Sequence, residues 1–326
     1  MSRKRIFGVE KFQGLLAACT FAAVVEFLMA QLGSVVAGQL LGETALSGVS
    51  LVLSVCEVVQ FLSVMVGGGT GIVYSLRMGA CDKRGAAEIF TQGLWTVALY
   101  GGLTAAAMVL AREWFLGYMG ASAEVAAYAR AYWNWYLAVP AASMLSVLLL
   151  NACYADGDSR LCYLAYVVQV ATNLAVSVVL IRSGAGTAGA AIGTLAGFLA
   201  AALTLALHFF RASNSFRLVR HFSLADTWRL SRAAFGDASS NLGDALVCFF
   251  LGKVVILHYG SAMLPVMSAV LFTFGIICVV GGVGAACQPI VSVYFGEANY
   301  KAVRVLMRRV LAVGVGEGEQ YYYGNN

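Results

Sequence analysis

Three carboxylates stand inside long apolar stretches of this sequence, at Glu26, Glu57 and Asp244. An ionised carboxylate is costly in apolar surroundings, so each of these positions is a candidate for a functional role. Such a group can hold a sodium ion, a proton or the positive charge of a small molecule, and it can exchange one for another. The alternative for each residue is a carboxylate that is satisfied by neighbouring hydroxyl groups or placed near an interface.

A polar stripe accompanies Asp244. Asp237, Asn241 and Asp244 follow one another at intervals of four and three residues, which places them on one face of a helix. Because a polar face is untenable against lipid, we expect this face to line a cavity or to meet another part of the chain.

Glu57 has a similar stripe, since Ser50 and Ser54 precede it with the same spacing. Lys253 follows Asp244 by nine residues, about 180° around a helix, so the two cannot pair on one face. The spacing therefore predicts that Lys253 extends to the membrane surface or binds another helix.

The elements that position these residues must be membrane-spanning helices. The chain has 326 residues, of which 60% are hydrophobic and only 11% charged, and its mean hydropathy is +0.81. Soluble domains carry about 25% charged residues, and a membrane span needs about 20 apolar residues. Since lipid offers no hydrogen bonds to the backbone, the apolar runs predict helices. The predicted spans are 14–38, 45–76, 89–111, 130–151, 161–182, 188–210, 236–258 and 264–295.

The net charge of +5 reflects topology and does not indicate a nucleic-acid partner. If the N-terminus is cytoplasmic, 17 of the 21 Lys and Arg residues fall in cytoplasmic segments. This excess predicts a multi-pass protein of a bacterial-type cytoplasmic (plasma) membrane with its N-terminus inside.

A weak internal repeat divides the chain into two lobes. Matching positions lie 217 or 218 residues apart, among them Gly42 and Gly260, Ser50 and Ser268, and Gly79 and Gly296. We predict a six-helix N-terminal lobe (1–210), a basic cytoplasmic linker (211–235) and a partial C-terminal lobe (236–326), with a substrate site between the lobes. Only residues 305–316 are available for a ninth helix, too few to cross a bilayer, so the second lobe is expected to be truncated.

Three segments in order resemble the multidrug and toxic compound extrusion (MATE) antiporters. They are "SVVAGQLLGETALSGVS" (34–50), "NACYADGDSRLCYLAYVVQVATNLAVSVVLI" followed by "GAGTAGAAIGTL", and "CQPIVSVYFGEANYKAVR". The resemblance covers about residues 14–310 and implies an all-α, two-lobe, inverted-V transporter. Members of this family have twelve helices, so the resemblance also implies that about a third of the architecture is absent here.

The resemblance assigns further residues and reveals two departures. It places an acidic residue of helix 7 within one position of Asp244. Many members have an aspartate where this sequence has Gly33 and another where it has Ser177. Asn173, an asparagine of helix 5 in the family, is retained, and Gln169 lies one turn before it. We therefore consider Glu26, one heptad before Gly33, as the replacement, with Asn241, Asn173 and Gln169 as further polar groups of the site.

Glycine and proline mark predicted helix breaks. Gly284 and Pro289 in the eighth span and Pro140 in the fourth can bend their helices or act as hinges. Gly67–Gly69 predicts a close helix contact or a local break, and Gly79 and Gly296 are predicted to end corresponding helices at the same membrane face.

The remaining reactive side chains favour structural roles. Trp133, Trp135 and Tyr136 are typical of an interfacial aromatic belt, with contact to a cationic ligand as the alternative. The eight cysteines are expected to be small apolar fillers. His208, His221 and His258 lie at predicted helix ends or in the linker.

These patterns favour export of lipophilic, cationic small molecules by Na⁺ or H⁺ antiport, with membrane lipids as further partners. No enzyme chemistry, metal site or other cofactor is expected. A truncated, inactive fragment is the alternative. A lipid-linked saccharide flippase of the same superfamily is disfavoured, because only Lys253 offers a positive charge within a span. The patterns do not determine the substrate, the choice of coupling ion or the oligomeric state.

Overall fold

All regular secondary structure is helical in the part that the computed structural model describes, residues 35–211, 214–278 and 291–314. This confirms the predicted all-α fold class. The α-helices are α1 (35–41), α2 (Glu43–Leu51), α3 (Leu53–Ser63), α4 (Gly69–Gly79), α5 (Lys83–Met119), α6 (Ala123–Tyr136), α7 (Val139–Ala155), α8 (Ser159–Leu180), α9 (Thr187–Ala206), α10 (Leu224–Ala233), α11 (Phe235–Tyr259), α12 (Leu264–Cys278), α13 (291–296) and α14 (Tyr300–Gly314).

Two single-turn π-helical segments interrupt this series. Val64–Gly68 joins α3 to α4, and Ile181–Ala185 follows α8. Short 3₁₀ turns at Leu207–Phe210 and Ser261–Met263 follow α9 and precede α12. The first π-segment contains part of the predicted glycine break, so the break is confirmed.

Among the described residues, five helices are long and apolar enough to cross a membrane. They are Leu53–Gly79, Lys83–Met119, Ser159–Ala185, Thr187–Phe210 and Phe235–Tyr259. A sixth span exists if α6 and α7, which meet at a bend of 49°, count as one. The predicted spans 14–38 and 264–295 lie partly outside the described residues, so the total of eight spans stays a prediction.

Helix α5 is much longer than the predicted span 89–111. Its 37 residues measure about 55 Å, against about 30 Å for the hydrocarbon core of a bilayer. Asp82 caps its first turn by accepting a hydrogen bond from the Gly85 N–H (2.9 Å) and pairs with Arg77 (2.8 Å). The Gly85 N–H and then Arg77 hold the pKa of the Asp82 carboxyl below its ordinary value. The helix ends at Gly120, whose φ of 74° is left-handed.

The two ends of the bundle can be named from these connections. We call the end that carries Asp82, the α7–α8 turn and the linker the linker end. The end that carries Gly120 and Gly260 is called the far end.

Two apolar clusters form the core, one towards each end. The linker-end cluster joins the N-terminal helices to the linker through Phe216 and Leu230. The far-end cluster joins them to α11 and α12 through Ile256 and Leu264. Each cluster thus ties a later segment of the chain to the N-terminal helices.

The far-end cluster corrects the prediction of an aromatic belt. Trp133 is buried and its Nε1–H donates to the Met108 carbonyl oxygen at 3.1 Å, while Tyr136 is buried beside it in the cluster. Only Trp135, which is 53% exposed, suits a belt position. The two residues are buried because α6 turns this face towards α2 and α9.

The internal repeat produces a reciprocal backbone contact. A Cβ on Gly79 would overlap the Val293 carbonyl oxygen, and a Cβ on Gly296 would overlap that of Leu76. Gly79 and Gly296 are 217 residues apart, as are Leu76 and Val293. The two glycines thus correspond to each other in the repeat, and so do the two residues that they touch. Such a reciprocal contact indicates that the two segments are related by an approximate two-fold axis. The prediction that these glycines end corresponding helices at one face is confirmed.

The linker folds back onto α4 and α5. The Gln92 side chain donates to Thr227 Oγ1 (2.8 Å) and accepts from the Ser223 N–H (2.8 Å). The Val219 N–H donates to Thr91 Oγ1 at 3.1 Å. These bonds satisfy buried polar groups of α5 and fix α10 across the linker end.

A buried cluster of charged groups fixes the start of the linker. His208 is fully buried, with Nδ1 at 2.9 Å from Asp158 Oδ2 and Nε2 at 3.0 Å from Asp156 Oδ2. Arg211 also binds Asp158 at 2.6 Å, and Tyr74 donates to Asp156 at 3.2 Å. Both ring nitrogens of His208 thus lie at hydrogen-bonding distance from a carboxylate oxygen.

We expect Gly69→Ala to destabilise the fold and Gly102→Ala to be neutral or slightly stabilising. A methyl group on Gly69 would overlap the carbonyl group of Leu230, whereas Gly102 faces open space. The displacement of α10 should cost about 1–3 kcal/mol, while alanine at Gly102 favours the helix by up to about 1 kcal/mol. Thermal unfolding in detergent compares the two variants. Equal melting temperatures would contradict the close contact of α4 with α10.

We expect His208→Leu to lower the free energy of unfolding by about 3–5 kcal/mol, because it removes the cationic partner of the buried Asp156. Asp158 keeps its pairing with Arg211. His258→Leu is the matched control, since His258 is exposed and bonds only the Val254 carbonyl oxygen of its own helix. The measurement is the midpoint of denaturant unfolding. A similar loss in both variants would argue against the charged cluster.

Candidate functional site

The site is built where α3 packs against α11. The buried residues of α11 recur at helical spacing and form one stripe, Ala238, Ala245, Cys248, Gly252 and Ile256. Asp244 lies beside this stripe and is exposed at the edge of the interface, while Glu57 on α3 is half-buried. The predicted polar face of α11 thus meets another part of the chain along one edge.

Glu57 on α3 and Asp244 on α11 lie on two helices that pack against each other, within electrostatic range of one another. Cys248, one turn after Asp244, belongs to the buried stripe of α11. The structure therefore places two of the three predicted carboxylates on neighbouring helices, one from each expected lobe.

Cys56, the residue before Glu57, packs against the far-end apolar cluster, which also contains the buried Tyr132 and Tyr136. This position agrees with the prediction that Cys56 is a small apolar filler. The Thr194 hydroxyl donates to the Ala190 carbonyl oxygen of its own helix at 3.1 Å.

The predicted serine stripe is buried. Ser50 and Ser54 lie on either side of the break at Val52, and among the described residues neither hydroxyl has a hydrogen-bond partner. The same holds for Ser268, the repeat counterpart of Ser50. Buried hydroxyls normally find partners. Of these oxygens, only that of Ser54 lies on the same helix as Glu57, one turn before it, while Ser50 belongs to α2 and Ser268 to α12.

Gln169 and Asn173 lie in a different interface. Both are buried on α8 against α9, where Gly193 and Gly197 allow the two helices to approach closely. Ser177 Oγ donates to Asn173 Oδ1 at 3.1 Å. Ser177, which stands where many family members have an aspartate, is thus hydrogen-bonded within the interface between α8 and α9.

The other predicted site residues divide into three groups. Asn241 is half-buried on α11, one turn before Asp244. Pro140 is the second residue of α7, next to the 49° bend between α6 and α7, and its role as a hinge stays a prediction. Glu26, Gly284 and Pro289 lie outside the described residues.

A second contact between the expected lobes lies at the far end. The Lys253 ammonium donates to the carbonyl oxygens of Tyr118 and Met119 at the end of α5 and lies 4.7 Å from the centre of the Tyr118 ring. Phe249, one turn earlier on α11, stacks on Tyr118 at 5.7 Å. A cation at a helix C-terminus is favourable. The prediction that Lys253 binds another helix is confirmed.

Three comparisons relate this fold to known proteins. The MatE family model matches residues 18–179. No curated protein matches the chain. Among solved structures, the MATE multidrug transporter DinF-BH in complex with a dye is similar with a TM-score of 0.85 and 15% identity, covering 94% of this chain and 71% of that one.

Two other solved structures show the same fold. One is a MOP superfamily transporter from Pyrococcus furiosus, with a TM-score of 0.81 and 21% identity, covering 94% of this chain and 69% of that one. The reversed polarity of its binding pocket suggests a different function for that protein. An inward-facing multidrug resistance transporter of the MATE family has a TM-score of 0.74 and 24% identity, covering 88% of this chain and 67% of that one.

The match over 18–179 includes α3 and Glu57, and the structural matches extend to α11 and Asp244. The three ordered motifs, the reciprocal glycine contact and the helical architecture agree with both findings. Over residues 18–179 the chain is therefore similar to the MATE family of transporters, and it shares the fold of their solved structures.

Proposed function

We propose that the protein exports lipophilic, cationic small molecules in exchange for Na⁺ or H⁺. The observation that carries the proposal is the approach of Glu57 and Asp244 from opposite sides of the α3–α11 interface. Two negative charges in apolar surroundings favour a cation between them. The dye bound to the similar transporter DinF-BH supports a small-molecule substrate.

The exchange follows from competition for one pair of carboxylates. A coupling ion and the cationic group of a substrate neutralise the same charges, so the binding of one disfavours the other. Ser54 adds a buried hydroxyl oxygen one turn before Glu57, and oxygen is the ligand that small hard cations prefer. An ion that enters along its gradient thereby displaces the substrate.

The lobes proposed to move are 1–210 and 236–326, joined by the linker 211–235. Alternating access requires them to rock about the site. The contacts at Gly79 and Gly296 near the linker end, and at Lys253 at the far end, would break and form in turn. In this proposal the linker end faces the cytoplasm, as the excess of basic residues predicts.

A flippase for lipid-linked saccharides remains the less favoured function. Its anionic phosphates would need several basic residues along the cavity. Lys253 is bound to the backbone at the end of α5 and lies over the Tyr118 ring. It is therefore poorly placed to bind a phosphate at the α3–α11 interface.

We expect Asp244→Asn and Glu57→Gln each to reduce efflux of a cationic rhodamine dye from proteoliposomes at least about tenfold, because each removes one charge of the pair. A tenfold loss of rate corresponds to about 1.4 kcal/mol in the free energy of activation. Since the two carboxylates act on one cation, the double variant should lose little more than either single variant. Glu88→Gln is the control, because Glu88 is paired with Arg84 at the surface. Full efflux by both single variants would overturn the proposed site.

We expect a cross-link between Ser122→Cys and Ser261→Cys to stop transport reversibly. The two hydroxyl oxygens are 3.5 Å apart, which suits a disulfide, and the link would hold α6 and the start of α12 together at the far end. The measurement is efflux after oxidation and again after reduction, in a Cys81→Ser background. Each single cysteine variant is the control. Unchanged efflux by the cross-linked protein would exclude separation of the halves at this end.

A further inference from the structure

The linker carries an exposed surface that the proposed transport cycle does not use. We call it the linker outer face and define it by Leu218, Phe222, Leu224 and Trp228 together with Arg220, Arg229 and Arg232. The four apolar side chains belong to residues that are 58–67% exposed. We propose that this face binds anionic phospholipid headgroups of the adjacent membrane leaflet.

The opposite side of the linker is already occupied, so only the outer face is open. Thr227, Leu230, Ser231 and Ala234 form the buried stripe of this region. Thr227 binds Gln92 at 2.8 Å, and Ser231 Oγ donates to the Tyr100 hydroxyl at 3.3 Å. These bonds hold α10 in one orientation and direct Leu224 and Trp228 away from the bundle.

The outer face is continuous with a surface that faces lipid. The Phe222 ring packs edge-on against Trp95 of α5, with ring centres 6.2 Å apart, and Trp95 is itself 53% exposed. A helix of about 55 Å centred on a hydrocarbon core of about 30 Å extends about 12 Å beyond it on each side. Trp95, 12 residues after Lys83, then lies about one turn inside the boundary. The apolar part of the linker is thus at the height of the membrane interface, where tryptophan is favoured.

The charges of this face suit phosphate groups. Asp226, the one carboxylate of the described linker, is paired with His221 at 2.9 Å. Within the described part of the chain, Arg220, Arg229 and Arg232 have no carboxylate partner within 4 Å. Guanidinium groups bind phosphate oxygens in a two-pronged geometry. Three unpaired guanidinium groups therefore favour anionic lipid over zwitterionic lipid.

The apolar and the basic side chains of α10 lie at successive positions along the helix. Leu224, Trp228 and Arg232 follow at intervals of four residues and so share one stripe of the helix. The apolar pair can enter the acyl boundary while Arg232 and its neighbour Arg229 remain among headgroups. Basic residues near an anionic surface strengthen association with it.

The experiment uses the full chain in nanodiscs that contain brominated phosphatidylglycerol or brominated phosphatidylcholine, each over the same series of mole fractions. Bromine quenches tryptophan at short range, and subtraction of the Trp228→Phe signal isolates Trp228. We expect phosphatidylglycerol to quench Trp228 at the lower mole fraction. Arg229→Gln combined with Arg232→Gln should reduce this preference by about fivefold for each arginine.

Arg84→Gln combined with Arg160→Gln is the matched control, because both residues lie at the linker end but outside the outer face. This variant should keep the preference. Equal quenching of Trp228 by the two lipids would overturn the proposal, and so would protection from both, which would mean that protein covers the face. The inference rests on the topology of the proposed function, but its test is independent of transport. If Asp244→Asn loses efflux but keeps its lipid preference, transport and lipid binding are shown to be separate properties.

Discussion

The structure depends on the cost of polar groups in hydrocarbon. A chain with so few charged residues must satisfy its buried polar atoms within itself, and it does so at a small number of places. His208 lies between two aspartates, Gln92 bonds the linker in two directions, and Lys253 binds backbone carbonyl groups that a helix end leaves open. Each arrangement connects segments that are distant in the sequence. Polar contacts therefore determine how the apolar helices are arranged, since apolar contact in lipid favours no particular partner.

Glu57 and Asp244 are the exception to this internal pairing of polar groups. They carry the same charge on two helices that pack together, and a proton or another cation can offset that charge. Ser54, one turn before Glu57, adds a buried hydroxyl that has no partner among the described residues. A site with unbalanced charge beside an unsatisfied oxygen is typical of a region that changes its occupant, and it gives the proposed exchange a physical basis.

Much of the fold could be predicted from the sequence because it depends on local patterns. The apolar runs located the helices, and the spacing of Asn241 and Asp244 placed both on one side of α11, at the edge of its contact with α3. The length of α5 was underestimated because its charged ends extend beyond the apolar run. The partners of Lys253 and the burial of Trp133 depend on tertiary packing, which the periodicity of one helix cannot reveal. His208 and Asp158 are 50 residues apart, and no local pattern connects them.

The reciprocal contact of Gly79 and Gly296 has a mechanical consequence. Two backbones touch there without intervening side chains, near the axis that relates the repeats and at one end of long helices. Such a contact can separate and close again without disengaging interlocked side chains. The span Leu53–Gly79 has 27 residues, about 40 Å of helix. A rotation of about 5° about its opposite end would displace Gly79 by about 3.5 Å over that length, so a slight tilt of the helix is enough to open or close this contact.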